Sequence, residues 1–314
     1  MIAIKKRAAC ALLAGVAGIF CSHSAWAVLP IQHWTQTSGA QVFLVESPTI
    51  PMVDVRLELD GGSRRDPVAQ AGLASAMVGA LSDGVRATAQ ESALDENGLS
   101  EAWADLGASF GGSASADRLT FSMRSLTYPD LLAQAVALAA RQLAEPAFPD
   151  AIWLRDRPKF IASLKESQTR PATVAAKAFS KAVYGSHPYG AETTEASLLR
   201  IGVSDMAALH AQLLRPCRAK VSLVGALNRV QADALVTQLL ARLPQGECTA
   251  LPTIAEVAQL TQAQQLDIAF DAAQAQVLMG QPGYPRRDPD HFALVVGNHI
   301  LGGGGFTSRL TSEV

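Results

Sequence analysis

The sequence predicts an α+β protein with a duplicated unit whose second copy is incomplete, and three observations lead there. A strand-like run, Met52–Asp60, feeds a Gly61-Gly62 turn and then an apolar helix, with Asp66 as N-cap and Pro67 as first helical residue. The same outline returns late in the chain. Arg64-Arg65-Asp66-Pro67 is matched by Arg286-Arg287-Asp288-Pro289, which follows a strand-like run at 274–281 and the turn 282–285, and both copies lead into an apolar helix. Once the leading segment is set apart, the remaining residues suffice for a large core and for two domains.

That leading segment, residues 1–27, reads as a secretory signal peptide. It has a basic start at Lys5-Lys6-Arg7, an apolar run from Ala8 to Phe20 and a small-x-small end at Ala25-Trp26-Ala27. The apolar run is too short to span a bilayer, so an exported, periplasmic protein is expected. Its removal takes away three of the 26 basic residues and leaves 23 against 28 acidic ones, a net charge near −5. Such a balance gives no reason to expect a nucleic acid or an anionic membrane as partner, and no later stretch reads as a transmembrane helix. Cys10 and Cys21 leave with the signal, so Cys217 and Cys248 remain. In an oxidising compartment that pair is expected to form a disulfide, worth roughly 3 to 4 kcal/mol in the chain-entropy model; two buried free thiols are the alternative.

The elements follow in order. After the first helix, 89–106 is helical in pattern and stops at Gly107. Residues 109–116 and 119–126 read as a hairpin turning at Asp117-Arg118. Residues 129–145 form a strongly apolar helix, and 149–168 another, with Pro158 inside it as a kink or break. Helix 172–183 leads to a loop centred on His187-Pro188-Tyr189-Gly190. Then come a helix at 204–214, a short buried strand Lys220–Gly225, and a helix at 230–243 ended by Pro244. The polar stretch that follows is the linker, giving a first domain at 28–245, a linker at 246–265 and the start of a second, homologous domain at 266–314.

The segment from Gly61-Gly62 to Gly72-Leu73-Ala74, the loop His187-Pro188-Tyr189-Gly190, the strand Val221 to Gly225, and the run from Leu301 to Leu310 stand in the order and spacing of the M16 (pitrilysin/insulinase-like) zinc metallopeptidases, which this chain resembles. The resemblance implies duplicated LuxS/metallopeptidase-like domains, each a mixed sheet packed with helices. It also locates a departure. In that family Gly-Leu-Ala is followed by His-x-x-Glu-His, whose histidines hold zinc from one helix face while the Glu acts as general base. Here the histidine places carry Ser75 and Gly79, and the glutamate place carries Val78. The family's third ligand, a Glu, falls at or beside Ser163; Glu166 lies almost a full turn further on. An ordinary apolar helix against a sheet is the plain reading of 73–80.

No two of His33, His187, His210, His291 and His299 stand at the i, i+3 or i, i+4 spacing of a helical metal site. The run Gly302, Gly303, Gly304, Gly305 fails as a phosphate loop, since no Lys-Ser/Thr follows. It resembles instead the glycine-rich loop implicated in substrate handling in the non-catalytic subunit of the mitochondrial processing peptidase; a plain connection is the alternative. The resemblance would continue past Val314 into a segment carrying an Arg and a Tyr that reach the zinc site. The expectation is therefore a non-catalytic subunit that binds no cofactor itself, pairs with a zinc-bearing homologue, and takes extended peptides. An active zinc endopeptidase with relocated ligands and a peptide-binding scaffold of the envelope are the competing readings.

Overall fold

The computed structural model describes residues 29–246 and 248–313; the predicted signal peptide lies outside them. Among the described residues no helix is long and apolar enough to cross a membrane. Three strands open the fold: β1 (Gln32–Thr35), β2 (Gln41–Glu46) and β3 (Met52–Asp60). Helix α1 (Leu73–Ala80), the short strands β4 (Gly84–Val85) and β5 (Leu94–Asp95), and α2 (Glu96–Asp105) follow. The hairpin β6 (Ser109–Ala114) and β7 (Arg118–Leu126) leads into α3 (Pro129–Ala144), α4 (Asp150–Ser167) and α5 (Pro171–Tyr184). Next come α6 (Glu195–Leu199), α7 (Val203–Leu213), β8 (Lys220–Gly225) and α8 (Arg229–Leu240), and finally α9 (His291–Asn298) and α10 (Arg309–Glu313).

The six long strands make one mixed sheet in the order β1-β2-β8-β3-β7-β6. Strands β2 and β8 run parallel; the other pairings are antiparallel. Alternation along the strands explains how the sheet divides its two faces. Val53, Val55, Leu57 and Leu59 of β3 and Leu119, Phe121 and Met123 of β7 are buried, under helices that include α1, α3 and α8. The residues between them face the other way and pair across strands. Arg124 meets Asp54, its direct partner in register, at 2.6 Å, and Arg118 reaches Glu58 at 2.8 Å. Hydrophobic burial on one face and water on the other set the register, because a slip by one residue would exchange them.

Four sequence expectations need correction. Asp66-Pro67 does not open a continuous helix. One 3-10 turn, Ser63–Arg65, ends at Asp66 and a second, Val68–Gln70, intervenes before α1, so Asp66 serves α1 from a distance. The helix expected at 89–106 starts only at Glu96, where Asp95 accepts from Gly98 N at 2.8 Å as N-cap. The residues before it are held as a loop by Arg141, which donates to the carbonyls of Arg86 and Ser92. Pro158 does not break α4. The carbonyl it leaves without a partner is that of Leu154, and both residues sit on the exposed side of the helix, where water can satisfy it. Lastly, the strand expected at 274–281 is not formed. Residues 249–290 hold no helix or strand, and that run lies exposed with no neighbouring strand to pair with.

Leu243 is the last fully buried residue of the core, and half-buried Leu251 packs against it. Among the described residues beyond it only Pro282 and Ser308 are buried, while α9 buries no side chain.

Candidate functional site

Helix α1 is positioned by a turn that only glycine permits and by one carboxylate. Gly62 has φ +78°, and a Cβ there would lie 2.2 Å from Ser115 O, so β3 can turn off the sheet only with glycine at this point. Asp66 then accepts from Gly72 N and Ala74 N, each at 2.9 Å, and satisfies two of the orphan donors at the start of α1. Burial pushes its carboxyl up to about 6, against the pull of those backbone N–H groups. Gly72, at φ +103°, completes the entry with Thr193 close behind it.

The four places singled out in the sequence separate into two groups. Ser75 and Gly79, four residues apart, share the exposed side of α1, and a Cβ built on Gly79 meets nothing within 4 Å. Ser163 of α4 lies across from Ser75, and both line one cleft with a volume of about 270 Å³. Its remaining walls are largely apolar: Trp153, Phe160 and Leu164 of α4, with Leu198 of α6. Val78 points elsewhere. It is buried, and a Cβ on Gly112 of β6 would come within 2.6 Å of Val78 Cγ1, so its isopropyl group is wedged between helix and strand. Glu166 stays at the surface, paired with Arg170 at 2.6 Å.

This arrangement does not fit a zinc ion. Zinc sites are built from imidazole, thiolate and carboxylate, whereas Ser75 and Ser163 offer two neutral hydroxyls and Gly79 offers no side chain. Among the described residues no group of three His, Cys, Asp or Glu stands close enough to hold a metal. His210, at the core, donates Nε2–H to Leu143 O at 2.7 Å, and burial holds its pKa below the usual histidine value. Gly302, Gly303 and Gly304 have their nearest neighbours within 298–310, and none of these belongs to α1 or α4. The run begins inside a π-helical turn, His299–Gly303, that continues α9.

Sequence reasoning missed the aromatic wall of the cleft. Trp153 and Phe160 stand seven residues apart on one helical face, a spacing that was legible, and Trp153 is fixed by donating Nε1–H to Ile201 O at 2.8 Å. It also missed that two motifs noticed separately meet in space. Arg64 reaches Asp117 at 2.9 Å, and Tyr189 donates to the same carboxylate at 2.6 Å, so the first Arg-Arg-Asp-Pro copy and the 187–190 loop are joined through the hairpin turn. Against Val78, β6 forms one edge of the sheet with the small-residue sequence SFGGSA.

The insulinase (peptidase family M16) model matches residues 41–197, and the peptidase M16 inactive-domain model matches 200–314. Among solved structures, a peptidase M16 inactive domain from Pseudomonas fluorescens is 31% identical with a TM-score of 0.78, covering 91% of this chain and 68% of that one. A protease from Helicobacter pylori is 18% identical, TM-score 0.69, with the same coverage of 91% and 68%. The periplasmic protease PqqL from Escherichia coli is 12% identical, TM-score 0.60, covering 73% of this chain and 25% of that one. The search of curated proteins found no match.

Proposed function

The chain belongs to the M16 peptidase family, and we propose that its role there is that of a non-catalytic subunit, pairing with a zinc-bearing homologue in the cell envelope to degrade or process peptides. One observation carries this reading: the open face of α1 carries Ser75 and Gly79, Ser75 lines a cleft whose opposite wall presents Ser163, and Val78 is buried against β6. By the resemblance these are the places of two zinc histidines, the third ligand and the general base. The fold that would position them persists, and the groups needed only for chemistry are absent from it. Zinc, activated water and base then belong to the partner, and no chemical step is assigned to this chain.

What remains to this chain is peptide binding. Strand β6 pairs with β7 on one side and offers the backbone N–H and C=O groups of its other side to an added strand. Gly111, where a Cβ would meet nothing within 4 Å, leaves room for a second backbone to approach. Main-chain hydrogen bonds give such binding its affinity with little demand on side-chain identity. The predicted signal peptide supports export, and the structural neighbour described as a periplasmic protease is consistent with that compartment. The division into 28–245, 246–265 and 266–314, and a substrate contact at Gly302–305, are part of the same reading.

The deciding experiment is the zinc content of the protein purified without chelating tags and dialysed against metal-free buffer, followed by peptide hydrolysis with and without a zinc-bearing M16 homologue from the same cell. A zinc ratio near zero, with turnover by the homologue rising when this chain is added, is the expected result. A ratio near one, with hydrolysis by this chain alone that chelation abolishes, would overturn it. Absence of any complex with the homologue would point to a free-standing peptide-binding protein.

A further inference from the structure

Residues 248–255, which have no helix or strand, are fastened to the first unit at four points. The disulfide between Cys217 and Cys248 ties the segment to the 3-10 turn Pro216–Arg218, just ahead of β8. Beyond it, Arg218 Nη2 donates to Thr249 O at 2.5 Å, Arg65 Nη1 to Pro252 O at 3.0 Å, and His187 Nε2 to Ala255 O at 2.9 Å. His187 Nδ1 accepts from Tyr189 N at 3.1 Å, which fixes the tautomer whose Nε2 carries the donated proton. Leu251 adds a half-buried contact with the core. The three donors come from three distant parts of the sequence, and every bond ends on a carbonyl of the segment. Hydrogen bonds to freely solvated carbonyls exchange readily with water, so their persistence depends on the segment being held close.

The closure is covalent at one end only, and that end is accessible: Cys248 is exposed and Cys217 half-buried. Exposed disulfides are the labile ones in thiol–disulfide exchange. We propose that 248–255 is a redox-governed strap. Oxidised, the disulfide keeps the strap within reach of Arg218, Arg65 and His187. Reduced, the strap lifts and releases these three side chains together with a cavity of about 510 Å³ that it partly walls. The reductant is a dithiol. One of its thiolates attacks Cys248 Sγ, and Cys217 departs as thiolate and takes up a proton. The second thiolate of the reductant then attacks its own sulfur in the mixed disulfide and frees Cys248 as a thiol. Two electrons and two protons pass to the protein, and the dithiol ends as a cyclic disulfide.

The test is thermolysin digestion of the full chain, with cut sites mapped by mass spectrometry, for the oxidised protein, the same protein in dithiothreitol, and Cys248→Ser. Reduction is expected to speed cleavage within 248–256 at least tenfold while cuts in the sheet stay unchanged. Cys248→Ser is expected to be fast with or without reductant. Oxidised Arg218→Ala and His187→Ala are expected to show smaller increases at the same sites. Equal rates in oxidised and reduced protein would overturn the proposal. So would an increase that includes the β3 and β7 strands equally, because the bond would then be stapling the whole unit.

Discussion

The two Arg-Arg-Asp-Pro copies begin from the same four residues and end in different structures. In the first, Arg64 and Arg65 both clamp Asp60 at the end of β3, at 2.6 and 2.7 Å, and Asp66 reaches forward to the amides of Gly72 and Ala74. In the second, Arg287 pairs with exposed Glu256, and Asp288 accepts from Asp290 N at 2.9 Å, two residues away. Each copy leads to a helix of eight residues, but α1 buries six of its side chains and α9 buries none. The local signal is therefore enough to start a helix. It is not enough to make a strand, because β3 exists through its pairing with β7 and β8, and 274–281 has no such partners among the described residues.

If tertiary support is what separates the copies, core substitutions should separate them most. Met77→Ala in α1, at a side chain with no exposure, is expected to cost about 2 to 5 kcal/mol in urea unfolding. Phe292→Ala in α9, where the ring is 79% exposed, should stay within about 0.5 kcal/mol. Similar losses at the two sites would mean that α9 is packed in solution. The turns give the next largest contrast. Gly62→Ala must place a methyl 2.2 Å from Ser115 O at a positive φ, and a loss of about 2 kcal/mol or more is expected. Gly283→Ala, in the corresponding turn of the second copy, meets nothing within 4 Å and should be nearly silent.

How much of this could be read from sequence depends on which forces decide each feature. Met52–Asp60 and Lys220–Gly225 were legible because their alternation and β-branched content agree with their burial. The hairpin was legible through its turn. Ser75, Val78 and Gly79 could be placed through the Gly-Leu-Ala that precedes them, and Ser163 only by counting along a helix. What the sequence could not carry were encounters between distant residues: the Trp153 and Phe160 wall facing Ser75, Tyr189 on Asp117, and the strap on Arg65 and His187. Such encounters are set by the topology of the sheet, which brings β8 between β2 and β3 and leaves no local trace.

Asp66 tests the comparison at its finest. Its two amide bonds favour the carboxylate, while burial favours the neutral acid, and burial prevails, raising the group to about 6. A folded-state value above the ordinary 3.8 means that the native state holds its proton longer than the unfolded chain does. The contribution of Asp66 is then fully present below about pH 4 and is lost as pH rises toward 6. Asp83 is also raised to about 6, by burial and by the nearby charges of Asp156 and Glu96, so raw stability curves would mix the two groups. The stability difference between the protein and Asp66→Asn removes Asp83 from the measurement. It should shift by about 1 to 3 kcal/mol against the native protein between pH 4 and pH 6.5 and stay level above that. A shift of the opposite sign would show that the amide bonds outweigh burial and that Asp66 holds α1 as an anion.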